Sequence, residues 1–280
     1  MDVNSISEQL LFTTVRIETQ TKNRKGVGTG FIFSYKYKEK EYSLLVTNKH
    51  VIKNTEKGII TFINKVNDKP QLGKAQAAKI TVFEKIWFGH PNADIDVCVA
   101  PLVPILNNLP NKGNVFFRSI PDSLIPTKEK IDEIDSLEEV VFIGYPSGIW
   151  DKKNFLPIIR KGITATPISI DYDGQRQFLI DASVFPGSSG SPVFLYNAGS
   201  YPSKKGGLVV GSRLMFLGIV SSVYYDEQEN ELRIRNLKTV DIPVSVSRET
   251  LDLGLVYKAD TISETAKFFL EQKEKDGQLS

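Results

Sequence analysis

The sequence predicts an all-β protein of two six-stranded antiparallel β-barrels followed by a C-terminal α-helix. Two groups of short strand-like segments carry this prediction, and the first segment, Phe12–Glu18, mixes Thr, Val and Ile with polar residues at period two. A stretch rich in proline, asparagine and charge separates the groups between residues 107 and 138. The 280 residues of the chain are enough for two small barrels with a substantial core.

The first group of strand segments lies before Pro104 and is large enough for one small barrel. The charged turn Lys38–Glu41 predicts that the second and third segments form a hairpin. The six predicted strands are Phe12–Glu18, Gly28–Tyr37, Tyr42–Thr47, Gly58–Ile63, Ala77–Phe83 and Asp96–Leu102.

The second group supplies the second barrel, and a helix signal follows it. Thr261–Glu264 has the pattern of a capping box ahead of an apolar helix face, so a helix packed on the second barrel is predicted. The predicted strands are Glu139–Ile143, Pro157–Ala165, Gln177–Asp181, Pro192–Tyr196, Met215–Val223 and Glu231–Arg235. The predicted boundaries are 1–105 for the first barrel, 106–138 for the connector, 139–258 for the second barrel, and 259–280 for the helix and tail.

Composition narrows the class of protein. Lys and Arg number 35 against 33 Asp and Glu, so no basic excess points to nucleic acid or to an anionic membrane surface. The single cysteine, Cys98, excludes an intrachain disulfide and fits a reducing compartment. The N-terminus lacks the features of a signal peptide, and no apolar stretch approaches the ~20 residues that span a membrane. We expect a cytoplasmic protein; a chain whose leader has been removed is the alternative.

The segment Phe185–Pro192, which reads Phe-Pro-Gly-Ser-Ser-Gly-Ser-Pro, is the most informative stretch of the chain. A serine hydroxyl is a poor nucleophile unless a base takes its proton and N–H donors hold the oxyanion that forms. Glycines on both sides of a serine pair allow strained dihedral angles and a close approach of a substrate carbonyl. The segment therefore predicts a nucleophilic serine, for which the chain must also supply a base and a carboxylate.

Only two histidines are available as that base. His50 ends an apolar, strand-like run, whereas His90 lies in a segment typical of a surface loop, which favours His50. Two carboxylates follow, Asp94 and Asp96. Residues two apart on a strand share a face, so the pattern alone leaves both open as the partner of the histidine.

In this order and spacing the motifs resemble those of trypsin-like (chymotrypsin-fold) serine peptidases, in the style of bacterial HtrA-like peptidase domains without disulfides. The resemblance extends from about Leu10 to Asn236. It implies a chymotrypsin-like pair of barrels and a serine endopeptidase that acts by acyl transfer. The matching motifs are Gly28–Ile32, Val46–Val51, Asp96–Val99, Gly144–Pro146 and Gly187–Pro192.

The resemblance also implies the role of each site residue. His50 is the general base, and Asp96 orients it, because the residues after Asp96 run directly into a buried strand as in the family. Ser189 is the nucleophile in the Gly-Ser-Ser-Gly frame, ahead of the neighbouring serines. The backbone N–H groups of Gly187 and Ser189 form the oxyanion hole.

Specificity can be argued by the same resemblance. The base of the pocket lies six residues before the nucleophile, at Ser183, so no carboxylate is there to hold Lys or Arg. The strand Gly218–Val223 forms one wall, and within it Ser221, Ser222 and Val223 pair with the substrate backbone as an added strand. Val223 stands where deep-pocket enzymes have glycine, which predicts a preference for small or medium aliphatic residues.

The remaining motifs predict little further chemistry. Gly26, Gly28 and Gly30 are interpreted as a tight turn beside the active site, because no helix follows them as in a nucleotide loop. Cys98 is predicted to be an inert core residue. No Cys/His cluster suggests a metal, and no cofactor is predicted. A protein or peptide substrate and a regulatory protein are the expected partners; a latent, peptide-binding or chaperone-like module is the alternative function.

Overall fold

A computed structural model of the chain describes residues 1–21, 24–111, 113–230 and 245–279, with only the backbone described for 223–230 and 245–250. These residues contain five α-helices and seventeen strands. The helices are α1 (Ile6–Leu10), α2 (Lys49–Ile52), α3 (Leu102–Asn107), α4 (Lys128–Glu133) and α5 (Ala259–Lys275). The strands are β1 (Thr14–Gln20), β2 (Lys25–Tyr37), β3 (Lys40–Thr47), β4 (Lys57–Val66), β5 (Lys69–Thr81), β6 (Phe88–Gly89), β7 (Cys98–Pro101), β8 (Val115–Phe116), β9 (Ile120–Pro121), β10 (Glu139–Gly144), β11 (Ile158–Thr164), β12 (Gln177–Asp181), β13 (Pro192–Asn197), β14 (Ser200–Pro202), β15 (Leu208–Val210), β16 (Arg213–Asn230) and β17 (Ser245–Lys258).

The first nine strands form one sheet, in the order β5-β4-β1-β2-β3-β7-β6, with β8 added to β4 and β9 added to β2. Successive side chains of β2 point to opposite faces of the sheet, so this strand contributes to two separate apolar clusters. Ile32 packs inside the sheet with Leu45 and Ile60. Phe31 and Phe33 point the other way, into a second cluster.

The last long strands form a closed barrel in the order β10-β11-β12-β17-β16-β13. Its interior is filled by side chains that are fully buried, among them Phe178, Val193 and Val256. The predicted all-β class, a second barrel of six strands and the C-terminal helix are confirmed, although the sixth strand of the barrel is β17, which was not predicted. Among the described residues, the sheet of the N-terminal half is open: its two end strands, β5 and β6, do not pair with each other.

Aromatic packing joins the two halves. The Phe31 ring of β2 lies 5.4 Å from the Phe216 ring of β16, and Phe194 of β13 lies 5.5 Å from the same ring. All three side chains are fully buried. Each such burial contributes about 2 kcal/mol, so the junction between the barrels is a core in its own right.

Several strand ends differ from the predicted ones. Strand β1 is shifted by two residues toward the C-terminus, and β7 begins at Cys98 because Asp96 turns toward a histidine instead of pairing. The strand predicted to end at Phe83 stops before it: Val82 has φ +57°, and Phe83 turns inward over Gly58. The predicted strand Glu231–Arg235 lies outside the described residues.

The predicted turn at Gly26, Gly28 and Gly30 is wrong, because all three lie within strand β2. These glycines instead let neighbouring side chains pack closely against the faces of the strand. A Cβ on Gly28 would lie 2.5 Å from Val51 Cγ1, and one on Gly30 would lie 2.7 Å from Ile17 Cδ1. A larger residue at either position would push these neighbours apart.

The C-terminal helix α5 begins earlier than the predicted capping box. Its N-cap is Lys258, and Thr261 lies within the first turn, where its hydroxyl donates to Lys258 O at 2.7 Å. The helix was predicted to pack on the second barrel alone, but it lies over the junction: the rings of Phe269 and Phe88 are 4.6 Å apart, and Ile262 joins the same cluster as Phe31. No described helix combines the length and apolar character needed to cross a bilayer.

Candidate active site

His50 and Asp96 meet because two neighbouring strands carry them. His50 lies in α2, directly after β3, and Asp96 lies just before β7, which pairs with β3. The His50 Nδ1 atom is 2.6 Å from Asp96 Oδ2, and the His50 backbone N–H donates to Asp96 Oδ1 at 3.0 Å. Both carboxylate oxygens thus hold one residue, and the ring is oriented with Nε2 facing away from the carboxylate.

Asp96 is supported from the second barrel as well. From that barrel the Ser221 hydroxyl donates to Asp96 Oδ2 at 2.8 Å. From the first half, Asn48 Nδ2 donates to Asp96 O at 2.8 Å. Burial raises the pKa of the Asp96 carboxyl, but the hydrogen bonds from His50 and Ser221 outweigh burial, so this pKa lies below its usual value. The carboxylate therefore stays ionised at neutral pH.

The other two candidates lie elsewhere. The Asp94 backbone is fixed by the Tyr257 hydroxyl, which donates to Asp94 O at 2.8 Å, and no described hydrogen bond joins Asp94 to His50. His90 is not on a surface loop, as predicted, because only 4% of its side chain is exposed. Its Nδ1 accepts from the Asn92 N–H at 3.0 Å, and its Nε2 faces Glu264 of α5 at 3.2 Å. The helix that buries His90 is distant in sequence.

Two glycines shape the turn around Ser189. Gly187 has φ +87° and Gly190 has φ +90°, a conformation that glycine adopts readily and other residues rarely do. The turn is fastened at both sides: the Thr29 N–H donates to Ser189 O at 2.9 Å, and the Gly190 N–H donates to Val220 O at 2.9 Å. Ser189 is thus held between β2 of the first half and β16 of the second.

The peptide before Gly187 has a defined direction. The Ser147 N–H donates to Pro186 O at 2.5 Å, and the described peptide bonds are trans. In a trans peptide the carbonyl and the following N–H point in opposite directions, so the Gly187 N–H points away from Ser147. Within the described ranges, neither this N–H nor that of Ser189 donates to another residue.

The hydroxyl of Ser189 donates to the backbone carbonyl of Ser221 at 2.8 Å. Among the described residues, no hydrogen bond joins Ser189 to His50, although both line the same open cavity of about 760 Å³. The carboxylate–imidazole pair is therefore formed in this structure, whereas the imidazole–hydroxyl pair is not.

The residues predicted to set specificity lie partly on this cavity. Ser221 and Ser222 line it, together with Val184 and Phe185. Ser183 is half-buried and is not among the lining residues.

The backbone of the predicted wall has an available edge. Ser222 and Val223 pair with β17 on one edge, whereas pairing with β13 ends at Ile219. Of Val223, only the backbone is described. The edge facing Ser189 can therefore accept an added strand.

Sequence reasoning missed two residues that position the site. The Thr29 hydroxyl donates to Gly187 O at 3.0 Å and accepts from the Tyr145 N–H at 3.1 Å, which ties the oxyanion turn to β2. Lys49 Nζ donates to His90 O at 3.1 Å and thereby holds the loop that leads to Asp96. Both residues stand inside recognised motifs, but their partners are far away in the sequence.

No three His, Cys, Asp or Glu side chains come together as a metal site in the part of the chain that the structure describes.

The family follows from a comparison with sequence models. The model of the trypsin-like peptidase domain matches residues 28–200, which is more than half of the chain and includes His50, Asp96 and Ser189. The chain belongs to the trypsin-like peptidase family. It is a trypsin-like serine peptidase, and its substrates are proteins or peptides.

Solved structures of similar shape include three serine proteases. The Rv3671c protease from M. tuberculosis in its active form is 15% identical, with 94% of this chain and 83% of that chain covered and a TM-score of 0.47. The HtrA-type protease AlgW with a tripeptide is 16% identical, with coverages of 97% and 63% and a TM-score of 0.47.

The thermostable serine protease AL20 from an extremophilic microorganism is 14% identical, with coverages of 92% and 96% and a TM-score of 0.47. A search of curated proteins found no match. No residue role or substrate of this chain follows from similarities at this level.

Proposed function

We propose that this protein is a serine endopeptidase that works through Ser189, His50 and Asp96 and forms an acyl-enzyme. The observation that carries the proposal is the Asp96 carboxylate, which is held by His50 and Ser221, two residues that line one cavity together with Ser189. This arrangement fixes the imidazole in the tautomer that leaves Nε2 free to accept a proton.

The reaction begins with a rotation of the Ser189 hydroxyl. In the resting structure this hydroxyl donates to Ser221 O, which lies on the edge where a substrate strand would pair. A substrate N–H that binds Ser221 O competes for that acceptor, and rotation about the Cα–Cβ bond then turns the hydroxyl toward His50 Nε2.

The chemical steps follow from the groups around that position. Ser189 Oγ bonds to the substrate carbonyl carbon while His50 Nε2 takes the hydroxyl proton. The N–H groups of Gly187 and Ser189 hold the oxyanion. His50 gives its proton to the leaving amine as the C–N bond breaks, and water then hydrolyses the ester with His50 as the base. Asp96 stays ionised throughout.

The pocket beside Ser189 supports a preference for small or medium aliphatic residues at the cleaved position. Its described wall contains Val184 and Phe185 and no carboxylate that could hold Lys or Arg. Ser183 and Val223 complete this pocket in the proposal. A cleavage profile from a peptide library tests the preference, and a profile dominated by Arg, Lys or large aromatic residues would contradict it.

A latent, peptide-binding module is the second candidate, because the Ser189 hydroxyl is bonded to Ser221 O and not to His50. A fluorophosphonate probe, which reacts only with an activated serine, separates the two candidates. We expect labelling of the wild-type protein and of the control Ser188→Ala, and none of Ser189→Ala. Labelling of folded Ser189→Ala excludes this nucleophile. A folded wild-type protein that binds peptides but resists the probe supports the latent module.

A further inference from the structure

The cavity that contains Ser189 continues past His50 onto the first barrel, where its wall is basic. Arg24, Lys25 and Lys53 line this part. No aspartate or glutamate lines the cavity anywhere in the described residues. Cations grouped in a cleft without carboxylates create a positive potential that attracts acidic groups.

These three cations are free to bind a ligand. All three side chains are exposed, and none of them takes part in an ion pair within the described ranges. Of the nearby carboxylates, Glu18 pairs with Arg16, whereas Glu56 and Glu84 line an adjoining cavity that shares Asn54 and Thr55 with this one. The charge of the three cations is therefore not neutralised by an ion pair within the described ranges.

The position of the basic wall decides which part of a substrate it meets. The leaving amine must lie within hydrogen-bond reach of His50 Nε2 to receive its proton. In the proposed function the acyl half of the substrate lies along Ser221–Val223. The chain that continues beyond the cleaved bond then leads past His50 toward the wall formed by Arg24, Lys25 and Lys53, which line the same cavity.

The backbone there can also receive this chain. Strand β2 pairs with β1 from Lys25 onward, but its pairing with β3 begins only at Phe31. Its second edge is unpaired at residues 25–27 among the described strands, so an extended peptide can add to it and bring its side chains near the cations.

We propose that this peptidase selects substrates with acidic residues within the first few positions after the cleaved bond. The inference rests on the proposed function and names the substrate class of that same site. Each exposed charge pair contributes modestly, so for two acidic residues against two neutral ones we expect kcat/KM to rise about five-fold at low salt. The advantage falls as ionic strength rises, because salt screens exposed charges.

The test uses three peptides that are identical up to the cleaved bond and carry Asp-Glu, Gln-Ser or Lys-Arg after it. We expect kcat/KM to decrease in that order for the wild-type protein. Charge reversal by Lys25→Glu or Lys53→Glu should reduce or invert the ratio of the acidic to the basic peptide. Lys205→Glu, an exposed lysine in the turn between β14 and β15, is the matched control and should leave the ratio unchanged.

The outcomes separate this inference from the function on which it rests. A wild-type protein that reacts with the fluorophosphonate probe and cleaves the three peptides equally, or prefers the basic one, overturns the inference alone. A folded wild-type protein that neither reacts nor cleaves overturns the proposed function as well. If a charge-reversal variant loses its fold by circular dichroism, the ratios of the wild-type protein and their salt dependence decide.

Discussion

Gly190 follows the candidate nucleophile directly, and the surrounding backbone leaves no room for a side chain. Its φ angle is +90°, and an added Cβ would lie 1.8 Å from the Thr29 carbonyl oxygen and 2.7 Å from Thr47 Oγ1. The Thr29 backbone cannot give way freely, because its own N–H donates to Ser189 O at 2.9 Å. We therefore expect Gly190→Ala to destabilise the fold and to displace Ser189.

The magnitude follows from two costs. A left-handed conformation costs a non-glycine residue about 1–2 kcal/mol. A carbon needs about 3.3 Å from a carbonyl oxygen, so the new Cβ and Thr29 O must move apart by about 1.5 Å. Overpacking of this kind costs about 1–3 kcal/mol. Together they predict that Gly190→Ala lowers the free energy of unfolding by about 2–5 kcal/mol.

Gly206→Ala is the matched control. Gly206 has φ +91°, but no heavy atom lies within 4 Å of an added Cβ. This variant should lose only the conformational cost of about 1–2 kcal/mol. Urea unfolding measures both losses, and the rate of fluorophosphonate labelling reports the position of Ser189. Equal losses in stability for the two variants, with labelling of Gly190→Ala unchanged, would refute the packing described around Thr29.

Three further predictions concern the pair at the site, the buried thiol and the barrel junction. Asp96→Asn should be less stable than wild type at neutral pH. Folding lowers the pKa of Asp96, so the ionised carboxylate stabilises the fold above about pH 4, and this stabilisation is lost as pH falls through the folded pKa. Urea unfolding at several pH values should therefore show the stabilities of the two proteins converging in acid. Burial raises the pKa of the Cys98 thiol, so iodoacetamide should label it only after unfolding, and rapid labelling of the native protein would contradict its core position. Phe31→Leu should reduce kcat/KM more than Ile32→Val does, when the two are compared at the same loss of stability. The reason is that Phe31 packs between the barrels, whereas Ile32 packs inside the first half. Equal kcat/KM in the two variants would contradict this role of Phe31.

Local sequence patterns predicted much of the fold, because the composition of a segment and the alternation of its apolar and polar residues indicate a strand. The run from Phe31 to Phe33 and the hairpin that follows it are examples, since the turn falls where the charges of Lys38 and Glu39 indicate it. The association of His50 with Asp96 was expected from the family resemblance, whereas the sequence pattern alone left Asp94 equally open; in the structure the two residues flank strands that pair with each other. Their catalytic roles, like the domain boundaries and the cytoplasmic location, stay predictions.

Features that depend on distant partners were beyond sequence reasoning. His90 reads as a loop residue, but α5 folds over it and brings Glu264 to its ring. Lys258 displaces the predicted capping box because α5 continues directly from β17, so the chain is already turning when it reaches Thr261. The rotamer of the Ser189 hydroxyl is another example, since its acceptor lies on a strand 32 residues away.

The aromatic junction explains why the site depends on packing that lies outside it. Phe31 follows the Gly28–Gly30 motif directly in β2, Phe194 comes just after the Ser189 turn, and Phe216 precedes Ser221 on β16. The three rings pack together in a cluster that also contains Val46 of β3 and Val97, which follows Asp96, so the chain segments that carry the site are fixed relative to one another. Interior cores resist deformation, and a proton transfer tolerates little error in distance. The same apolar contacts that hold the barrels together therefore set whether a rotated Ser189 hydroxyl can reach His50.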